Sequence, residues 1–157
     1  MELSHVLAVM GIAASPISEL RGAIPFAVLV FDYPWYYAYP ISVIGNLMPI
    51  PFILLFLEGA SRLFSRIPVC RRLLEWLFAR TRRRGSIVER YQYLGLVLFV
   101  AIPLPFTGAW TGSLAAVLFG LRFWHSLLSI GIGVIIAGAV VTSATMLGWN
   151  IIGGLTQ

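Results

Sequence analysis

The chain has 157 residues, of which 59% are hydrophobic and only 11% are charged, and its formal net charge is +5. A soluble domain carries about 25% charged residues, so this composition excludes an ordinary soluble protein. The hydrophobicity also excludes a disordered chain, which leaves an integral membrane protein. All basic residues are arginines, and most of them lie between Arg62 and Arg90. This clustering indicates one cytoplasmic loop in a multi-pass plasma-membrane protein and argues against nucleic-acid binding.

The first apolar segment, residues 3–31, is broken near its centre. Residues 3–14 and 24–31 are apolar, and the sequence from Ser15 to Gly22 between them contains Pro16, Glu19 and Arg21. Because no basic residue precedes Arg21, the segment lacks the positive start of a secretory signal. We therefore interpret it as part of the mature protein.

The second segment, residues 33–57, is long enough for one transmembrane span. Tyrosines and a tryptophan crowd its start, as is typical of the membrane interface. Asn46, Pro49 and Pro51 predict a kink in its middle. Residues 59–90 form the cytoplasmic loop, in which the pattern from Pro68 to Arg80 predicts an amphipathic helix on the lipid headgroups.

The third segment, residues 91–121, would be about 46 Å long as one helix, which exceeds the bilayer core. The sequence Pro103-Leu-Pro-Phe-Thr-Gly108 breaks it into two half-length pieces, 91–101 and 109–121. The fourth segment, residues 125–148, predicts a second span. Its stripe of small residues indicates close helix packing, and we expect a homodimer through it. The stripe consists of Gly133, Ala137, Ala144 and Gly148.

The two halves of the chain therefore share one layout. Residues 1–58 and 91–157 each contain a broken segment followed by a span, which is a pointer to a transporter site. The predicted fold is an all-α integral membrane protein, an inverted repeat of a re-entrant helical hairpin plus a transmembrane helix. An alternative has four full crossings and both termini inside. We prefer hairpins because they leave no extended backbone facing lipid.

The candidate site is where the two breaks meet. An ionisable side chain at membrane depth costs free energy, so Glu19 and Arg21 need a functional reason. We expect Arg21 to bind an anionic substrate group and Glu19 to carry a proton. The alternative is a local ion pair that fixes the hairpin. Asn46 either belongs to the site or makes an interhelical hydrogen bond. The second break offers hydroxyl, indole and freed backbone groups for substrate or ions, from Pro103, Pro105, Thr107, Gly108, Trp110 and Gly112.

Three motifs resemble the small multidrug export protein family, a relative of the DedA membrane proteins. They are Ile17-Ser-Glu-Leu-Arg-Gly-Ala-Ile-Pro25, Gly45-Asn46 with Pro49 and Pro51, and Pro103-Leu-Pro-Phe-Thr-Gly-Ala-Trp-Thr-Gly112. The resemblance implies two re-entrant hairpins in an inverted repeat and proton-coupled transport. Matched by motif, it implies a functional set of Glu19, Arg21, Asn46, Pro103, Pro105, Gly108, Trp110 and Gly112.

We therefore expect a small transporter that moves an amphipathic or anionic lipid-like substrate. Two alternatives stay open: an exporter of cationic amphiphilic drugs, and a non-transporting membrane assembly factor. A passive channel ranks last, because no repeated polar ring is present. No metal-ligand cluster, nucleophile arrangement or phosphate loop appears, so neither enzyme activity nor a cofactor is expected. The expected partners are membrane lipids, the small-molecule or lipid substrate and a second copy of the chain.

Overall fold

The computed structural model describes residues 2–64, 85–104 and 107–155. Within these ranges every regular element is a helix, as the composition predicts. The helices are α1 (Leu3–Ala14), α2 (Glu19–Leu29), α3 (Trp35–Leu47), α4 (Ile50–Phe64), α5 (Gly85–Ala101), α6 (Ala109–Leu118) and α7 (Phe123–Leu155).

Two helical stretches are long and apolar enough to cross a membrane. One runs from Trp35 to Gly59 through α3 and α4, and the other runs from Phe123 to Gly148 in α7. Met48 and Pro49 separate α3 from α4, at the place where a kink is predicted. Met48 keeps helical backbone angles, so the kink itself stays a prediction. The shorter apolar helices flank the two breaks. Together with the exposed leucine, isoleucine and phenylalanine side chains on the outer surface, these stretches favour a membrane protein.

Several predicted boundaries differ from the structure. Helix α2 begins at Glu19 instead of residue 24, so the charged residues lie in its first turn. Helix α4 continues to Phe64 and α5 begins at Gly85, so both extend into the loop predicted at 59–90. Pairing of the backbone into helix satisfies its polar groups, which explains why helix extends past the apolar stretch. The amphipathic helix predicted at 68–80 lies outside the described residues.

Helix α6 ends at Leu118 in a glycine turn, three residues before the end predicted at residue 121. Gly120 has a φ of 65°, the left-handed conformation that glycine adopts without steric cost. Its backbone N–H donates to the carbonyl of Val117 (3.0 Å), and the N–H of Leu121 donates to the carbonyl of Ala116 (2.9 Å). This pair of bonds satisfies the free carbonyls of the helix and stops α6 at Leu118 instead of residue 121.

The helices pack in the same pattern in both halves of the chain. In the first half α1, α2 and α3 contact one another, and in the second half α5, α6 and α7 do so. Across the halves, α2 and α3 pack on α7, and α6 packs on α4. One core cluster joins the halves through Leu20, Ile50, Val100, Ile130 and neighbouring side chains.

The two spans pack against each other. The start of α7 shares a core cluster with Ile53 and Leu54 of α4. The hydroxyl of Tyr39 in α3 donates to the carbonyl of Ile135 (3.1 Å). Met146 packs on a second cluster, which joins α1, α2 and the start of α3.

Aromatic contacts hold each pair of helices that flanks a break, α1 with α2 and α5 with α6, at its open end, which is the end away from the break. In the first half His5 of α1 stacks on Phe31, with ring centroids 4.0 Å apart. In the second half Tyr93 of α5 lies 5.2 Å from the ring of His125, and its hydroxyl accepts the N–H of Arg122 (3.3 Å). The open end of the second pair therefore lies near His125, at the start of α7.

Close packing of α3 on α1 depends on Gly45, where a Cβ atom would lie 2.8 Å from the Cα of Met10 and 3.1 Å from the Cβ of Ala13. We expect Gly45→Ala to lower the free energy of unfolding by about 1–3 kcal/mol, because backbone must move apart to admit the methyl group. The matched control is Gly11→Ala in α1, where the added Cβ meets nothing within 4 Å.

Alanine favours helix over glycine by about 1 kcal/mol, so the control is expected to be neutral or stabilising. Unfolding in mixed micelles, titrated with SDS, measures both variants. Equal effects of the two substitutions would contradict the close contact between α1 and α3.

Candidate functional site

The carboxylate of Glu19 lies at the N-terminus of α6. Its Oε1 accepts the backbone N–H of Trp110 (3.3 Å), and the N–H of Ala109 also interacts with it. Glu19 is only 8% exposed, and its φ of 45° lies in the left-handed region. That conformation costs about 1–3 kcal/mol for a residue other than glycine, so surrounding contacts must hold it. The contacts with α6 do so.

Gly108 makes this approach possible. A Cβ atom at position 108 would lie 1.9 Å from Oε2 of Glu19, a distance at which no side chain fits. The carboxylate therefore sits directly against the backbone at the beginning of α6, where the helix dipole and the unpaired N–H groups favour negative charge.

Two backbone carbonyls at the breaks are also satisfied from across the molecule. The guanidinium of Arg21 donates to the carbonyl of Thr107 in the second break. In the reverse direction, the indole Nε1 of Trp110 donates to the carbonyl of Ala14 (3.1 Å), the last residue of α1. Each break therefore supplies the side chains that the backbone of the other break requires.

Two threonines complete the second break locally. The hydroxyl of Thr107 accepts the N–H of Leu104 (3.0 Å) and donates to the carbonyl of Ile102 (2.7 Å). The hydroxyl of Thr111 accepts the N–H of Gly108 (3.0 Å). These bonds replace the helical hydrogen bonds that Pro103 and the residues after it cannot make.

Glu19 and Arg21 do not form an ion pair with each other. Among the described residues the ion pair found is between His5 and Glu2 (3.4 Å). The alternative prediction of a local pair is therefore not met by a direct contact, although the positive charge of Arg21 still acts on the carboxylate. The physical reason is that both charged groups have better partners on the second break, where they satisfy backbone dipoles in an apolar environment.

A cavity of about 10 Å³ lies beside these contacts. It is bordered by α2, by the second break, by α5, by Asn46 of α3 and by α7. Asn46 is 1% exposed, and its Oδ1 has no hydrogen-bond partner among the described residues. A volume of this size admits about one water molecule. The lining includes Glu19, Arg21, Asn46, Thr107, Gly108 and Val141.

A larger, open groove of about 450 Å³ adjoins the cavity. Its walls are almost entirely apolar, and they come from α2, from Pro103 and from the second half of α7. Arg21, Pro103 and Val141 border both the cavity and the groove. Arg21 is the charged residue at the inner end of this apolar groove, so the arrangement suits a molecule with an apolar body and a polar head.

The structure brings most of the candidate residues together. Glu19, Arg21, Asn46, Pro103, Thr107 and Gly108 line the cavity, and Trp110 bonds to Glu19 and Ala14. Gly112 does not line the cavity. A Cβ atom at position 112 would lie 2.6 Å from the side chain of Val100, so this glycine serves the packing of α6 against α5. Pro105 lies outside the described residues.

Half of the small-residue stripe of α7 lies inside the chain, because Gly133 lies against Val100 and Ala137 is buried.

Sequence reasoning missed the backbone part of the site and the wall supplied by α7. The carbonyl of Ala14 and the N–H of Ala109 carry no sequence signal, because every residue has these groups. Val134 and Val141 look like ordinary apolar span residues. Ser42, which is fully buried with an unpartnered hydroxyl, lies four residues before Asn46, and that helical spacing was a usable signal.

These features define a small all-helical membrane protein with a buried polar site between two helix breaks. Among the described residues no group of three histidine, cysteine, aspartate or glutamate side chains could hold a metal ion. Residues 19–140 match the model of the family described as "Putative small multi-drug export protein". The chain belongs to that family, whose name denotes export. No curated protein and no solved structure matched the chain, and a relationship to DedA proteins stays a prediction.

The contact between Glu19 and Gly108 predicts a coupled effect on stability. Gly108→Ala is expected to cost about 1–3 kcal/mol through overpacking. Glu19→Ala is expected to cost about 1–3 kcal/mol because it leaves buried N–H groups without an acceptor. In the double variant the clash is absent, so the two costs should fall short of additivity by about 0.5–3 kcal/mol.

Unfolding free energies from SDS titration give this coupling. The control is Gly95→Ala, because a Cβ there meets nothing within 4 Å, and it should combine additively with Glu19→Ala. Additive costs for Gly108→Ala and Glu19→Ala would contradict the contact.

Proposed function

We propose that the protein is a secondary transporter whose site lies between two re-entrant hairpins that enter the membrane from opposite faces. The observation that carries the proposal is the reciprocal bonding of the two breaks beside a cavity and an apolar groove. Matching helix breaks in two halves are typical of transporter sites. Membership of an export-protein family supports the same function.

The opposite orientation of the hairpins is supported by what lies along α7. One open end lies beside His125, and Phe31 and Tyr33 of the other belong to the apolar cluster on which Met146 also packs. About 30 Å of helix separates these two residues, close to the thickness of the hydrocarbon core. The cavity contacts α7 in between, at Val134, Ala137 and Val141. Both hairpins would then end near the bilayer midplane.

The proposed substrate is an amphipathic molecule with an anionic head. Its apolar part would occupy the groove, and its head would reach Arg21 at the inner end. A guanidinium has five N–H donors, so Arg21 can bind an anion while it keeps its bond to Thr107. Glu19 would carry the coupled proton, because its carboxylate is enclosed at the same site. The membrane would be the plasma membrane, with the arginine-rich segment on the cytoplasmic side.

The family description favours a second candidate, export of cationic amphiphilic drugs. In that function the carboxylate of Glu19 would bind the cation directly, and Arg21 would only support the second break. The two candidates share the site but require opposite charges from it. Exchanging one charged side chain at a time therefore separates them.

The test uses proteoliposomes with trapped pyranine, a pH-sensitive dye, and one of two probes: NBD-labelled phosphatidic acid or ethidium. For an anionic substrate we expect Arg21→Gln to raise the half-saturating fraction of labelled phosphatidic acid about tenfold or more, because a charge-assisted hydrogen bond of about 1.5–3 kcal/mol is lost. Glu19→Gln should abolish proton movement but keep probe exchange, because the amide still accepts the N–H groups of α6.

Arg122→Gln is the matched control, since this arginine is exposed at the start of α7 and lies outside the cavity. Wild-type kinetics for phosphatidic acid in Arg21→Gln would contradict the anionic substrate. Ethidium efflux that is lost in Glu19→Gln and survives in Arg21→Gln would establish the cationic function instead. Movement of neither probe by the wild type would contradict both.

A further inference from the structure

The apolar groove beside Arg21 is built from one stripe of residues on each of two helices. On α2 the stripe consists of Arg21, Pro25 and Leu29, which follow one another at about one helical turn. Arg21 and Val141, which also border the small cavity, come at the beginning of the two stripes, so both stripes run outwards from the inner end. The stripe on α7 consists of Val140, Val141, Ala144, Thr145 and Gly148.

The two stripes give the groove its length. Leu29 comes eight residues after Arg21, and Gly148 comes seven after Val141, which corresponds to about 12 Å and about 10 Å of helix. An extended chain advances about 1.2 Å per bond, so the groove matches about eight to ten bonds of an alkyl chain.

The volume of the groove decides between one chain and two. A methylene group fills about the volume of a water molecule in the liquid, about 30 Å³, so one chain of this length needs about 300 Å³ and two need about 600 Å³. The groove has about 450 Å³. It therefore holds one alkyl chain along its whole length, with room to spare, but not two.

Beyond Arg21 the described walls of the groove leave an occupant no side chain for a hydrogen bond. The hydroxyl of Thr145 already donates to the carbonyl of Val141 (2.8 Å) in its own helix. A polar group of an occupant would be costly along these walls, because it would stay unpaired. At the inner end Arg21 has further N–H donors besides the one that binds Thr107, and its positive charge complements an anion. The occupant that fits is an alkyl chain with an anionic group at the inner end.

Small residues form the outer part of the wall on α7. A Cβ atom at Gly148 would meet nothing within 4 Å, so the groove is open at this end. Ala144 lies one turn further in and is exposed. A large side chain would fill the groove about 5 Å from Val141 at position 144 and about 10 Å from it at position 148. These two positions therefore limit how far a chain can extend.

We propose that the groove binds one alkyl chain of an anionic amphiphile, and that Ala144 and Gly148 determine the length of chain that it accepts. The anionic group lies at Arg21, and the chain runs outwards between α2 and α7. This inference rests on the proposed function and adds the binding mode of its substrate and the residues that select it. Ala144 and Gly148, which the sequence pattern assigned to a homodimer, then belong to the substrate site.

The first experiment measures binding of two radiolabelled probes to the protein in nanodiscs by scintillation proximity, with empty nanodiscs as background. Hexyl phosphate has a chain of about 7 Å, and dodecyl phosphate has one of about 14 Å. We expect Ala144→Leu to raise the dissociation constants of both probes about tenfold, because leucine fills space that both chains need. Gly148→Leu should raise that of dodecyl phosphate about tenfold and leave that of hexyl phosphate unchanged, because the shorter chain ends before this position.

Ala139→Leu and Gly131→Leu are the matched controls. Ala139 is exposed on α7, a Cβ atom at Gly131 meets nothing within 4 Å, and neither residue lines the groove. Both variants should bind both probes as the wild type does. Wild-type affinity for dodecyl phosphate in Ala144→Leu or Gly148→Leu would overturn the inference. Equal weakening of both probes in Gly148→Leu, or no binding to the wild type, would also overturn it.

Photolabelling tests the direction in which the chain lies. Decyl phosphate with a diazirine at its terminal carbon has a chain of about 12 Å, which matches the length of the groove. We expect mass spectrometry to find the label on Leu29 and on residues 145–148, and an excess of dodecyl phosphate should prevent this labelling. Label on Pro103 or Val141 at the inner end would overturn the proposed direction.

Neither experiment needs transport, so this inference and the proposed function can fail separately. If the probes bind as expected but the wild type does not exchange labelled phosphatidic acid, the groove is a chain-binding site and the transport function is wrong. If the wild type exchanges phosphatidic acid but all four variants bind both probes as the wild type does, the transport function stands and the role of Ala144 and Gly148 is wrong.

Discussion

The structure depends on one constraint: the backbone groups freed at two helix breaks must find partners inside an apolar protein. Water is absent from the bilayer core, and an unpaired N–H or C=O group there costs several kcal/mol. The two breaks satisfy this requirement for each other. Glu19 accepts the N–H of Trp110, Arg21 donates to Thr107, and the Trp110 indole donates to Ala14. Neither break has these side-chain partners when it stands alone.

The same contacts explain why two charged residues are kept in an otherwise apolar region. The direct contacts of each charged group are with backbone groups of the second break and not with the other charged group. The left-handed φ of Glu19 is part of this arrangement, because the strained backbone aims the carboxylate at α6. In the proposed function, a substrate anion at Arg21 or a proton on Glu19 would change these contacts directly.

Much of the architecture could be predicted from the sequence. The breaks at Ser15–Gly22 and Pro103–Gly108, and the second span, follow from proline, glycine and charge in long apolar segments. The start of α2 could not be predicted, because the first turn is stabilised by contacts with α6 that are distant in sequence. The partners of Glu19 and Arg21 were also misjudged. Two charges close in sequence suggest a local pair, but the backbone groups that bind them have no residue-specific signature.

The contribution of α7 illustrates the same limit. Gly133 and Ala137 were interpreted as a surface for a second copy, yet they lie inside the chain. Small residues allow close approach but do not specify which helix approaches. Ala144 and Gly148 border the groove instead, and the homodimer stays a prediction.

The most direct test of the account asks whether the two breaks meet in a lipid bilayer. With the single cysteine Cys70 replaced by serine, Ala14→Cys and Trp110→Cys are combined and treated in membranes with a thiol crosslinker about as long as the tryptophan side chain it replaces. The account predicts efficient intramolecular crosslinking, and none for Ala14→Cys with Gly95→Cys, because Gly95 has open space around it. Equal crosslinking of both pairs, or of neither, would contradict the contact on which the site depends.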